Sequence, residues 1–298
     1  MKIGIIGANS FIARNIVYEL KKRKQAGFDI ELWLCDYQDT HLDNEAEYHQ
    51  INILDRDSVS KINTDVDILY IFAGKTGTVQ GFDDYDTFID INEKALLNIL
   101  TVCVKNKSDA KIIFPSTRLV YQGKKGKLKE ESEKEFKTIY AANKFACEQY
   151  LKMYNNMYGV KYAIFRICVP YGTMIPNASS YGTAEFMLGK AKNGEDISLY
   201  GDGSVRRTLT HMEDLCNILI EGAMCNKCEN DIYNIGGEDY SLREMAEKIA
   251  EIYSVGVKYV EWPETALKVE SGDTVFDSEK LDAILKYSIK NTFAEWIG

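Results

Sequence analysis

Through the first half of the chain, short runs of large apolar and β-branched residues alternate with longer segments whose apolar positions recur every three or four residues. The short runs predict strands at 2–6, 30–35, 47–51, 67–72, 111–114 and 160–166. The longer patterns predict helices near 11–25, 82–107 and 137–157. Asp67-Ile68-Leu69-Tyr70-Ile71-Phe72 and Ile112-Ile113-Phe114 show no polar alternation, which suits strands covered on both faces. Strands separated by helices imply βαβ crossovers, so this half reads as α/β, a doubly wound parallel sheet.

After Gly172 the rhythm loosens. Pro176, Ser179, Ser180 and Gly182 mark a loop, and the elements beyond it are shorter. Segment 206–237 reads as a strand, a helix and a second strand, Ile232-Tyr233-Asn234-Ile235, returning to the main sheet. The expected division is therefore a main domain of 1–172 and 206–237, with a smaller substrate-binding lobe of 183–204 and 238–298. Ser241, followed three residues later by Glu244, forms a capping box that opens a helix over 242–253.

Composition narrows the partners. The 298 residues allow one large domain with a smaller one packed on it. A net charge of −9 argues against nucleic acid and anionic membranes, and an anionic ligand would need local Arg, Lys or helix N-termini. The apolar start, Met1 to Gly7, is too short for a signal peptide, and no stretch approaches the roughly 20 apolar residues of a membrane span. Seven cysteines, an odd count scattered through predicted elements, fit free thiols in a reducing cytoplasm. Cys225 and Cys228 form a C-x-x-C without a second pair at metal spacing, so no metal is expected.

Gly7-Ala8-Asn9-Ser10-Phe11-Ile12-Ala13 joins the first strand to the first helix. Such a turn aims backbone N–H groups and the helix dipole at a pyrophosphate. Ser10 and Ala13 stand where a G-x-x-G-x-x-G loop has its later glycines; both are small, and a plain βα turn would look the same. Asp36 ends the second strand, where a carboxylate accepts both hydroxyls of an adenosine ribose and repels a 2′-phosphate. With no Arg or Lys beside it, it favours NAD over NADP, although a strand-end Asp also serves turns.

Tyr140 and Lys144 lie one helical turn apart. An ammonium close to a phenol stabilises the phenolate, making the tyrosine a usable base near neutral pH. Alone, Y-x-x-x-K is equally a solvated pair on a helix. Context changes that: the buried run Ile112-Ile113-Phe114 leads into Pro115-Ser116-Thr117, and Thr117, 23 positions before Tyr140, sits where a hydroxyl can hydrogen-bond a substrate oxygen.

At this point the chain resembles the extended short-chain dehydrogenase/reductase family, in its NAD-dependent nucleotide-sugar epimerase/dehydratase branch. The resemblance runs through Gly7 to Ala13, Asp36, Phe72-Ala73-Gly74, Asn92, Ser116-Thr117 with Val120-Tyr121, and Tyr140-x-x-x-Lys144. It continues through Arg166 to Gly172, Tyr200 to Ser204 with Arg207, Asp214, and Tyr233 to Gly237. It implies a Rossmann-type domain and NAD held by Gly7, Ser10, Phe11, Ile12, Asp36, Asn52, Ile53, Ala73, Gly74, Tyr140 and Lys144. It further implies that Tyr140 takes the proton of a sugar hydroxyl, usually at carbon 4, as hydride leaves that carbon for NAD. Thr117 then polarises the oxygen and Lys144 tunes the tyrosine, while Arg207 and Asp273 contact a nucleoside diphosphate sugar. A homodimer through the helices near 82–107 and 137–157 is also implied, with Phe145, Met153 and Met157 as contacts unless these belong to the core.

Three positions depart from the family pattern. Thr117 is followed by Arg118 and Leu119 instead of an Asp-Glu pair, which argues against 4,6-dehydration. Val169 replaces a common substrate-contacting Asn. Glu270, in Val269-Glu270-Ser271-Gly272-Asp273, replaces an Arg that neutralises the diphosphate, and an anion there weakens phosphate binding. The substrate is then an unusual nucleotide sugar, or a sugar-like ligand without a diphosphate. The expected activity is NAD-dependent epimerisation by transient oxidation. A reductase of a 4-keto-6-deoxy nucleotide sugar and a non-catalytic dinucleotide-binding regulator are the alternatives.

Overall fold

The computed structural model describes residues 1–43, 47–178, 180 and 182–298; Ser179, one of the residues expected to mark a loop, lies outside them. Seven parallel strands form the main sheet: β1 (Lys2–Ile6), β2 (Glu31–Asp36), β3 (Tyr48–Gln50), β4 (Ile68–Ile71), β5 (Lys111–Thr117), β6 (Tyr162–Ile167) and β7 (Asp231–Asn234). Their spatial order is β7-β6-β5-β4-β1-β2-β3. The direction of winding reverses between β1 and β4, and in such sheets the carboxyl ends at the reversal open a ligand crevice.

Alternate residues of β1, β4 and β5 feed opposite cores, which is why their apolar runs lack polar alternation. Ile3, Ile5, Ile68, Tyr70 and Ile113 pack against helices α1 (Phe11–Gln25) and, further along the chain, Met212–Met224. Ile6, Leu69, Ile71, Ile112 and Phe114 pack on the other face against α2 (Ala95–Lys105) and α3 (Ile139–Tyr158). Thr138 caps α3 by accepting the Ala141 N–H, and Gly159, at φ 73°, ends it.

The structure corrects two expectations. The helix near 82–107 is broken: Asp84 leaves helical space at φ −133°, where its carboxylate takes the Thr87 hydroxyl (2.6 Å) and the Lys75 ammonium. A π-turn follows at Asp90–Lys94 before α2. Strand Arg206–His211 does not join the main sheet. It pairs parallel with Val169–Tyr171 and antiparallel with Glu238–Ser241, forming a separate three-stranded sheet, while β7 does return beside β6. A smaller core gathers Met187, Leu199, Leu209, Met245, Ile249 and Phe293. The helix Leu242–Tyr253 opens on the expected capping box of Ser241 and Glu244. Among the described residues no helix is long and apolar enough to cross a membrane. All seven cysteines are free, and no group of described His, Cys, Asp or Glu side chains is placed to hold a metal ion.

Candidate active site

Gly7 turns the chain out of β1 at φ 81°, and a Cβ there would stand 2.2 Å from the Ala73 backbone nitrogen. Only glycine lets the ends of β1 and β4 come this close. The turn is held by the Gly7 and Ala8 N–H groups, which both donate to Cys35 O at 2.9 and 3.0 Å. Ser10 then occupies the N-cap of α1 but makes no capping bond. Its Oγ is buried and has no hydrogen-bond partner among the described residues, at a helix end whose first N–H groups also lack intrahelical acceptors.

Asp36 Oδ2 accepts the Asn9 N–H (3.0 Å) and Oδ1 the Tyr37 N–H (2.8 Å), which fixes the carboxylate at the end of β2. Asn9 also stitches the following loop, donating through Nδ2 to Gln38 Oε1 at 2.7 Å and Thr40 O at 2.9 Å. Asn9, Asp36, Tyr37 and Gln38 line a cavity of about 650 Å³ with Asn52, Ile53, Ala73 and Gly74. Asn92, in the π-turn, clamps the next residue: Oδ1 accepts the Lys75 N–H (2.8 Å) and Nδ2 donates to Lys75 O (3.0 Å).

A second cavity of about 590 Å³ adjoins the first, sharing Ser10, Phe72 and Gly74. Its walls bring together Phe11, Ile12, Thr117, Tyr140 and Lys144. Thr117 Oγ1 accepts the Leu119 N–H (3.3 Å), which leaves the hydroxyl proton to donate elsewhere. Lys144 Nζ donates to Pro115 O (2.8 Å) and lies 4.3 Å from the centre of the Phe114 ring. Burial pushes this ammonium down to about 8, against a weaker opposing pull from Cys147 and Glu148. No carboxylate is among the described walls of this cavity.

Ser116 is also among the walls of the second cavity, but its hydroxyl is bonded behind them. Its hydroxyl donates to Glu148 Oε1 (2.6 Å), and Glu148 receives a two-pronged ion pair from the buried Arg166 at 2.9 and 2.6 Å. Arg166 reaches on to the Tyr121 hydroxyl (2.7 Å), which donates to Asn234 Oδ1 (2.6 Å). The family-like residues Ser116, Tyr121, Arg166 and Asn234 thus fasten β5, β6, β7 and α3 behind the cavity. Asp214 similarly accepts Tyr287 Oη and the N–H groups of Lys290 and Asn291, holding the C-terminal segment.

Arg207 and Asp273 are not among the walls of either cavity. Arg207 is buried, donating to Gly272 O (2.5 Å) and to Glu270 Oε1 (2.6 Å). Glu270 therefore neutralises the very cation expected to meet a phosphate. Asp273 Oδ1 accepts the Arg206 N–H (2.9 Å). Cys168 and Pro170 line the second cavity, while Val169 between them packs against the smaller core, as strand alternation requires. On α3, Met153 and Met157 are exposed, whereas Phe145 packs within the chain against Val120 and Tyr121.

Sequence reasoning missed the segment Thr76-Gly77-Thr78 with Gln80, which walls the second cavity. The glycine pair Gly74 and Gly77 after β4 was the available signal. It also read Arg118 only as a departure, although this residue lines the cavity.

The sequence pattern of the NAD dependent epimerase/dehydratase family matches residues 3–236. A UDP-N-acetyl-alpha-D-glucosaminuronate decarboxylase of Bacillus cytotoxicus is 26% identical over 276 residues, covering 87% of this chain and 82% of its own. A CDP-paratose 2-epimerase of Salmonella typhi is 24% identical, covering 97% and 95%. The structure of a Thermus thermophilus UDP-glucose 4-epimerase in complex with NAD superposes with a TM-score of 0.84 at 22% identity, covering 100% of this chain and 96% of that one.

Proposed function

Because the chain belongs to the NAD dependent epimerase/dehydratase family, as an NAD-dependent enzyme of the extended short-chain dehydrogenase type, we propose that it epimerises a nucleotide sugar by transient oxidation at carbon 4. The buried, unpartnered Ser10 hydroxyl and the glycine-only approach at Gly7 fit a pyrophosphate at the head of α1. Asp36, Asn52, Ile53, Ala73 and Gly74 would hold the adenosine half of NAD, with Tyr140 and Lys144 at the other end. Bound there, NAD supplies the acceptor and donor for the electron pair of the substrate carbon.

The chain's own residues do the rest. Tyr140 takes and returns the proton of the sugar hydroxyl, Lys144 steadies the phenolate, and Thr117 donates its free proton to the same oxygen. The observation that carries epimerisation over elimination is the second cavity's lack of any carboxylate among its described walls, since loss of water needs an acid and a base beside the sugar.

The test is a panel of nucleoside diphosphate sugars given to NAD-loaded wild type and Tyr140→Phe, with epimers resolved by NMR. Tyr140→Phe should retain NAD and lose about 10²- to 10⁴-fold in turnover. Undiminished turnover would remove the tyrosine from the chemistry. Net consumption of NADH or NADPH with a keto-sugar would make the enzyme a reductase instead.

A further inference from the structure

The second cavity carries two cations, Arg118 and Lys144, and no described carboxylate, in a chain whose net charge is −9. Lys144 is engaged with Pro115 O beside the tyrosine. Arg118 is not matched in charge. Its Nη1 donates to the neutral Ser271 Oγ (2.9 Å), and among the described residues no Asp or Glu comes within 4 Å of it. Glu270, two residues before a glycine turn, is already tied to Arg207 at 2.6 Å and to the Gly272 N–H at 2.8 Å. Burial first, and the neighbouring Arg207 charge second, lower Arg118 to about 10 against smaller opposing pulls from Cys168 and Glu270, which still leaves it protonated at neutral pH. A guanidinium has five N–H donors, and with the nearby Glu270 carboxylate bonded to Arg207 instead, Arg118 keeps donors to offer a ligand.

We propose that Arg118 is the specificity-determining residue of this cavity and receives an anionic oxygen group of the substrate, a sugar carboxylate or a phosphate. This rests on the nucleotide-sugar reading. It explains how the cavity draws an anion although Glu270 has cancelled Arg207: the receptive cation sits directly after Thr117, within one residue of the hydroxyl that addresses the reacting carbon. Neither arginine is replaced in its role by the other, since one is paired inside the protein and the other faces the ligand.

The experiment measures binding to NAD-saturated protein by calorimetry, with UDP-glucuronate, UDP-glucose, inorganic pyrophosphate and free glucuronate as probes. Wild type is compared with Arg118→Leu and with Arg118→Lys, which keeps the charge but loses the fork; matched NAD affinity and melting curves show that each variant folds. Arg118→Leu should weaken the anion it receives by about tenfold to a hundredfold, with partial rescue in Arg118→Lys. A loss confined to the glucuronate probes identifies a sugar carboxylate. An equal loss for UDP-glucose, UDP-glucuronate and pyrophosphate identifies a phosphate. If no UDP probe binds wild type while pyrophosphate or glucuronate still depends on Arg118, the anion site stands and the nucleotide-sugar reading falls. Equal behaviour of wild type and Arg118→Leu toward every probe, including no binding at all, overturns the proposal. Should neither variant fold, wild-type affinity that does not fall between low and high salt overturns it as well.

Discussion

Lys144, proposed to steady the Tyr140 phenolate, carries a stability penalty. Buried against Phe114 and held by a single carbonyl, Pro115 O, its ammonium gives up its proton at about 8 rather than in the ordinary lysine range. Between those two values the unfolded chain binds more protons than the folded one, so stability rises with pH across that window. Below pH 8 the burial penalty is fully present, up to about 3 kcal/mol, since each tenfold change in proton affinity is worth about 1.4 kcal/mol. Wild type should therefore gain stability relative to Lys144→Met as NAD-free protein is taken from pH 7.5 to 10, measured by urea unfolding. A constant difference across that range would show that the lysine is hydrated as in the unfolded chain. Residues of this kind were legible because their chemistry needs a fixed spacing: one turn between Tyr140 and Lys144, a strand end for Thr117 and Asp36. Arg207 was not legible in the same way. A basic residue matched to a family position says nothing of its partner, and the Glu270 carboxylate that occupies it lies 63 positions away.

At the scale of elements, the walls of the site are only as firm as the buried charge network behind them. Glu148 on α3 is fully buried and gathers Ser116 from β5 and Arg166 from β6, while Tyr121 extends the chain of bonds to β7. Removing one partner of a buried pair leaves the other charge without compensation. Glu148→Gln is expected to lose about 3–5 kcal/mol of unfolding free energy, and Glu148→Leu combined with Arg166→Met to recover part of it. Denaturant titration of the three proteins decides this, and a Glu148→Gln loss under about 1 kcal/mol would mean the network is not structural. The sequence announced β1 and β4 almost to their ends, and the start of β5, because strands buried on both faces leave uninterrupted apolar runs. It concealed the break at Asp84 and the π-turn, since the apolar periodicity continues across both. It also misassigned Arg206–His211: a strand's pattern shows which faces are buried, not which sheet it enters.

At the scale of the whole molecule, the pair of Arg207 and Glu270 closes the second sheet against the segment that precedes Asp273. Arg207 belongs to strand Arg206–His211, Glu270 to the loop whose Gly272 carbonyl Arg207 also holds, and Thr274 bridges back to Arg207. Glu270 stands where the family resemblance implies an arginine beside a diphosphate, and it pairs with Arg207 inside the protein. Glu270→Gln should then act in two opposite directions. Without ligand it leaves Arg207 buried and unpaired, at a cost of about 3 kcal/mol seen as a lower melting temperature. With a nucleoside diphosphate such as UDP present, the freed guanidinium gains a phosphate partner, so the ligand-induced rise in melting temperature should exceed that of wild type, equivalent to about tenfold tighter binding. Equal ligand-induced shifts in the two proteins would show that Arg207 is a structural arginine whichever residue stands at 270, and that charge reception in this enzyme belongs elsewhere in the fold.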